Sequence, residues 1–141
     1  MSAVQFDADE FRPPHARAFL GLPLGHLRRF DLEGGHGYES DPPADVAERS
    51  AETVALIAGS AAMPRLRRLD FRNAGVGDAG GMALAAAAGF PHLNHLMLEG
   101  NPLSESTRRA LRDRYGDRVL FDHVDYRGRI TYGEVLSLIH I

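Results

Sequence analysis

The chain has 141 residues, enough for one domain with a continuous core, and 44% of them are hydrophobic. A formal charge of −3, with acids and bases interspersed, argues against a partner chosen by bulk electrostatics, so neither nucleic acid nor a membrane surface is expected. The absence of cysteine removes disulfides, thiolate catalysis and cysteine-type zinc sites, and suits a reducing compartment.

The first residues, Met1 to Glu10, carry Asp7, Asp9 and Glu10 and no apolar stretch, so they are not read as a signal peptide. Nowhere does a run of about eighteen apolar residues occur, and no membrane span is expected. A cytoplasmic protein is the default expectation. Residues 1–23 read as an N-terminal segment or partial repeat, with a helix over His15–Leu20 ahead of Pro23.

From residue 24 the chain repeats itself. Leu27-Arg28-Arg29-Phe30-Asp31-Leu32, Leu66-Arg67-Arg68-Leu69-Asp70-Phe71 and Leu93-Asn94-His95-Leu96-Met97-Leu98 align without gaps as L-x-x-L-x-L, with one phenylalanine in each of the first two. The second and third lie 27 residues apart, and the first and second 39, which is 27 plus an insertion of 12. That insertion, 34–45, is rich in glycine and proline and is read as a loop, with His36 and Tyr38 as candidate partner contacts. Side chains alternate along a short strand, so Leu69 and Phe71 are expected inward and Arg68, Asp70 and Arg72 outward.

A helix is expected after each strand. Ala47, Ala51, Val54, Ala55 and Ala58 recur at helical spacing between Ala47 and Met63. Ala79–Ala88 carries Met82 and Leu84, and its low propensity at Gly80 and Gly81 leaves packing to stabilise it. Ser104 caps a third helix through Tyr115, with Ala110 and Leu111 inward and Gly116 as its C-cap. Pro64 and Pro91 each fall two residues before a motif leucine, ending one element and starting the next in the same register. Arg118-Val119-Leu120-Phe121 reads as a closing strand, giving three to four repeats over 24–121.

Other patterns carry less. Gly75-Val76-Gly77-Asp78-Ala79-Gly80 matches G-x-G-x-x-G formally, but the 27-residue repeat explains the same segment, whereas a dinucleotide fold would not generate Leu27–Leu32. His92 and His95 straddle a strand start without a H-E-x-x-H carboxylate, so no metal site is expected, and no cofactor either. Arg108, Arg109, Arg112, Arg114 and Arg118 read as a solvated helix face, with Glu105 supporting Arg109.

From Pro64 to Phe121 the chain resembles leucine-rich repeats of the ribonuclease-inhibitor-like type. The resemblance rests on Leu66, Leu69, Phe71, Val76-Gly77-Asp78-Ala79-Gly80, Met82-Ala83-Leu84-Ala85 and Leu98-Glu99-Gly100-Asn101-Pro102-Leu103-Ser104. It implies an α/β solenoid with short parallel strands on a concave face and helices outside. The family's ladder asparagine stands only at Asn101, with Ala74 and Gly35 in the equivalent places, so a partial ladder is expected. The resemblance also implies a protein partner on the concave face. The residues there would form columns of Arg29, Arg68 and His95, then Asp31, Asp70 and Met97, then Glu33, Arg72 and Glu99.

The reading is therefore a protein-interaction module rather than an enzyme. The alternatives are the recognition arm of a larger enzyme or GTPase-regulating protein whose other domain is missing, or a structural spacer. Residues 122–135 are expected to begin a further or capping region. Leu136-Ser137-Leu138-Ile139-His140-Ile141 is what a transposon-type sequencing adapter would encode, so 136–141 is expected to be a non-native tail.

Overall fold

The computed structural model describes residues 2–34 and 44–121, the side chains of 44–46 excepted. Strand β1 (Ala3–Asp7) leads to helix α1 (Pro13–Leu20), β2 (Arg29–Glu33), α2 (Ala44–Ala58) and β3 (Arg68–Asp70). Helix α3 (Asp78–Ala85), β4 (His95–Met97), α4 (Glu105–Tyr115) and β5 (Val119–Leu120) complete the described chain. The strands form one parallel sheet in the order β1-β2-β3-β4-β5. Strand order never reverses, and α1, α2, α3 and α4 pack in sequence as a single row. The α/β class with parallel strands is as expected. Strand β1 was not anticipated, although Val4 and Phe6 alternate with Gln5 and Asp7 as a half-buried strand should.

Each unit opens with the same turn. The Leu27, Leu66 and Leu93 N–H groups donate to Leu24, Met63 and Phe90 C=O, three residues back. Pro64 and Pro91 occupy the second position of their turns, where the fixed proline φ is already correct. Each strand then starts alike. Arg28 and Arg29 N–H donate to Ser2 C=O, Arg67 and Arg68 to Arg28, and Asn94 and His95 to Arg67. The resulting register aligns Val4, Phe30, Leu69, Leu96 and Val119 across the sheet.

Those residues face the helices and, together with Leu27, Leu32, Leu66, Phe71, Leu93 and Leu98, form the core. Phe30 and Phe71, the two places where phenylalanine replaces leucine, pack against each other at 6.4 Å between ring centroids. Phe30 also joins Phe6, Phe11 and Phe19, an aromatic cluster that fills the β1 end of the core. Such ring pairs add about 0.5–1.5 kcal/mol each beyond their burial.

The helices end earlier than periodicity suggested. Helix α2 stops at Ala58 because Gly59-Ser60 follows, and Ser60 Oγ accepts the Ala62 N–H in a turn. Helix α3 stops at Ala85, and Ala87 N–H turns back to Leu84 C=O. Its glycines are points of contact. A β-carbon on Gly80 would lie 3.1–3.4 Å from Val76 and Val54, and one on Gly81 only 2.5 Å from Thr107 Cγ2. Glycine therefore lets α3 lie close to both α2 and α4, at the cost of local helix propensity. In α4, Ser104 accepts the Thr107 N–H and Gly116, at φ +63°, closes the helix. Leu111 is fully buried and Ala110 partly so, while Glu105 pairs with Arg112 at 3.4 Å instead of the expected Arg109.

The basic run is exposed at Arg109, Arg112 and Arg114 and half-buried at Arg108 and Arg118. Arg114 donates to Ala87 C=O and Arg118 to Leu93 and Tyr115 C=O, while Arg108 and Arg112 lie over the Phe121 ring. These guanidiniums close the α4–β5 end of the core. No helix among the described residues is long and apolar enough to cross a membrane.

Candidate binding surface

Helices cover one side of the sheet, so the other side is where the chain presents a regular array of polar groups. The register places Arg29, Arg68 and His95 side by side at the strand starts, with Ala3 continuing the row. Asp31, Asp70 and Met97 form the next row, between Gln5 and Leu120. Glu33 is level with Asp7, and Arg72 reaches it at 3.7 Å.

Exposure within this array is uneven. His95 and Arg29 are open to solvent, and Glu33, Arg68, Arg72 and Met97 are half-buried. Asp31, Asp70 and Glu99 are buried, although strand alternation alone had put Asp70 outward in solvent. The reason is the arginines at the next outward positions of the same strands. Arg29 closes on Asp31 Oδ2 at 2.7–2.8 Å. Arg72 donates through its backbone N–H and its guanidinium to Asp70 at 2.9–3.0 Å, and Arg68 adds a contact at 3.4 Å. The hydrogen bond to Asp31 holds Arg29 more firmly protonated than usual, and the bond to Asp70 does the same for Arg72. A buried carboxylate is tolerated only with such charge-assisted partners.

The nine residues picked out from sequence therefore lie together on one surface, but they divide. Asp31, Asp70, Glu99 and Arg72 hold the surface itself together. Arg29, Arg68 and Glu33 share in those ion pairs but keep exposed surface, as do His95 and Met97. His36 and Tyr38 lie outside the described residues. The neighbouring Ala3, Gln5 and Asp7 were missed with their strand, and the alternation of β1 was the signal for them.

Above the strands the turns are tied by one amide. Asn101 Oδ1 accepts the Ala74 and Val76 N–H groups at 3.1 and 2.9 Å, and its Nδ2 donates to Phe71 and Leu98 C=O at 2.8 and 2.9 Å. Asn73, one residue before Ala74, instead takes a left-handed conformation (φ +54°) and donates its N–H to Glu99 C=O. Gly34 fits beside it because a β-carbon there would lie 1.8 Å from Asn73 O.

The glycine-rich segment 75–80 does not form a phosphate cradle. Asp78 begins α3, and its carboxylate accepts the Ser104 N–H at 2.8 Å, which lowers its pKa. A negative charge thus already occupies the helix start where an anion would sit. Among the described residues no three histidine or acidic side chains converge as cation ligands. Comparison with protein-family models, with curated proteins and with solved structures gave no match.

Proposed function

We propose that the chain is a leucine-rich-repeat module of the ribonuclease-inhibitor-like type that binds a protein partner through the strand face of its sheet. One observation carries the reading. Equivalent residues of the three motifs stand in a single register across β2, β3 and β4, so the outward positions form rows with the described helices packed in sequence on the far side. A surface of this kind, rigid and mixed in sign, selects a partner by shape and local pairing more than by net charge. The recurring opening turn and the Asn101 amide, which spans 27 residues to Ala74, support the repeat interpretation. A cytoplasmic setting belongs to the proposal on composition alone.

The exposed part of the surface offers a row of hydrogen-bond donors, Arg29-Arg68-His95, beside the apolar side chain of Met97. A partner suited to it presents acceptor groups flanking a small apolar contact. The test is a paired substitution, His95→Glu with Met97→Arg, which touches no ion pair found among the described residues. Quantitative capture from the source cell's lysate should lose its specific proteins while the thermal midpoint stays within a few degrees of the parent. Capture of the same proteins at the same yield by both chains would contradict the proposal.

A further inference from the structure

Strand β1 is the sheet's first edge, and its hydrogen-bonding direction can be read from its neighbours. Ser2 C=O accepts from β2 and Ala8 N–H donates to Glu33 C=O, so even-numbered residues of β1 face β2. In a parallel pair, alternate residues face opposite neighbours. The N–H and C=O groups of Ala3 and Gln5, and the Asp7 N–H, therefore point off the sheet, and no described residue bonds them. An edge of this length that no described residue pairs is a template for a further strand.

Beside that edge, on the helix side, lies a largely apolar recess of about 620 Å³ lined by Phe6, Phe11, Phe19 and Leu22, with Asp7, Glu10 and His15 also in its wall. Leu22 is 54% exposed, one of the two large hydrophobic residues so open in the chain's described part. On the strand face the edge is polarised. Arg29 stands next to Ala3 at the strand starts, and Glu33 next to Asp7 at the strand ends.

We infer that β1 pairs antiparallel with β1 of a second copy about a two-fold axis at Gln5, joining two sheets into one. This arrangement is self-complementary. Gln5 faces its own copy with reciprocal backbone bonds, and Val4 meets Phe6 of the second copy on the apolar side, where the two recesses cover each other. Asp7 falls opposite Ala3, one strand from Arg29, so the acidic end of each sheet meets the basic start of the other. Centring the axis on Asp7 would oppose two carboxylates, which selects the Gln5 register. An isologous interface of this kind closes on itself and does not propagate.

The test uses the whole chain in sedimentation velocity over a concentration series. The apparent mass should double from 15.4 kDa as concentration rises. Gln5→Pro removes an outward N–H that β2 does not use, so it should remain folded and stay monomeric. Hydrogen exchange on the unmodified chain supplies a second readout, with concentration-dependent slowing at the Gln5 and Asp7 amides. A chain that is monomeric throughout would overturn the inference and leave the edge to a strand from another protein. A dimer that survives Gln5→Pro, or one without slowed exchange in β1, would overturn it equally.

Discussion

Replacing Asn101 with alanine should destabilise the chain far more than a polar truncation on its exposed surface. Asn101 is buried, and so are Ala74 and Val76, whose N–H groups it satisfies. A buried N–H stripped of its acceptor costs about 1–3 kcal/mol. Two such groups set a range of roughly 2–6 kcal/mol, while the Phe71 and Leu98 carbonyls lose a donor at smaller cost. Water entering the space of the lost amide would move the outcome toward the lower half of that range, about 3 kcal/mol. Against a typical total stability of about 5–15 kcal/mol, this is a large fraction. Urea unfolding with a slope of about 1–1.5 kcal/mol/M should show the midpoint falling by roughly 2–3 M. Hydrogen exchange should accelerate at Ala74 and Val76 first. A loss below about 1 kcal/mol, or unchanged exchange at those amides, would refute the view that this amide ties one turn to the next.

Three further perturbations test the packing and the strand face. Arg72→Met leaves the buried Asp70 with the backbone N–H of residue 72 and the 3.4 Å contact to Arg68 and should cost about 1–3 kcal/mol, whereas the Asp70→Leu/Arg72→Met pair should cost less than the sum of its parts; strict additivity in urea unfolding would contradict the ion pair as drawn. By helix propensity alone Gly81→Ala would stabilise α3 by about 1 kcal/mol, but the 2.5 Å approach to Thr107 Cγ2 predicts a net loss of about 1–3 kcal/mol, so the sign of the change in thermal midpoint decides. The pH dependence has two limbs. Asp78, with its folded pKa lowered, contributes stability above the unfolded carboxylate value of about 3.9 that disappears as pH falls below it. Tyr115, buried and donating to Leu84 C=O at 2.7 Å, has its pKa raised by desolvation, so stability should fall as pH rises above about 10. Asp78→Asn should flatten the acid limb and Tyr115→Phe the alkaline one, each read from thermal midpoints across pH.

Sequence patterning located β2, β3, β4 and β5 because leucine and phenylalanine at alternate positions of a strand must face a core, and it located α4 because Ser104 and Gly116 have local reasons to start and stop a helix. It misjudged α2 and α3 at their C-termini, where alanine continues a helical pattern but Gly59 and the Ala86–Gly89 turn do not support it. Strand β1 was overlooked because residues 1–23 lack the L-x-x-L-x-L motif and read only as an N-terminal segment or partial repeat, while the partners of Val4 and Phe6 lie far along the chain. The burial of Asp70 could not be read from alternation. It follows from Arg68 and Arg72 closing on the carboxylate along the chain, which depends on side-chain length and on burial beside the neighbouring strands. Gly80 and Gly81 looked like weaknesses in a helix, and only the neighbouring Val54 and Thr107 reveal them as contact points.

The most direct test of the strand face as the binding surface is site-specific photocrosslinking. A photoreactive residue placed at Met97, between the strands and solvent, is compared with one at Arg109, exposed on α4. The account predicts that a partner protein is captured covalently from position 97 and not from 109, with both chains equally folded. Capture of that partner from 109 alone would place binding on the helix side and contradict the account.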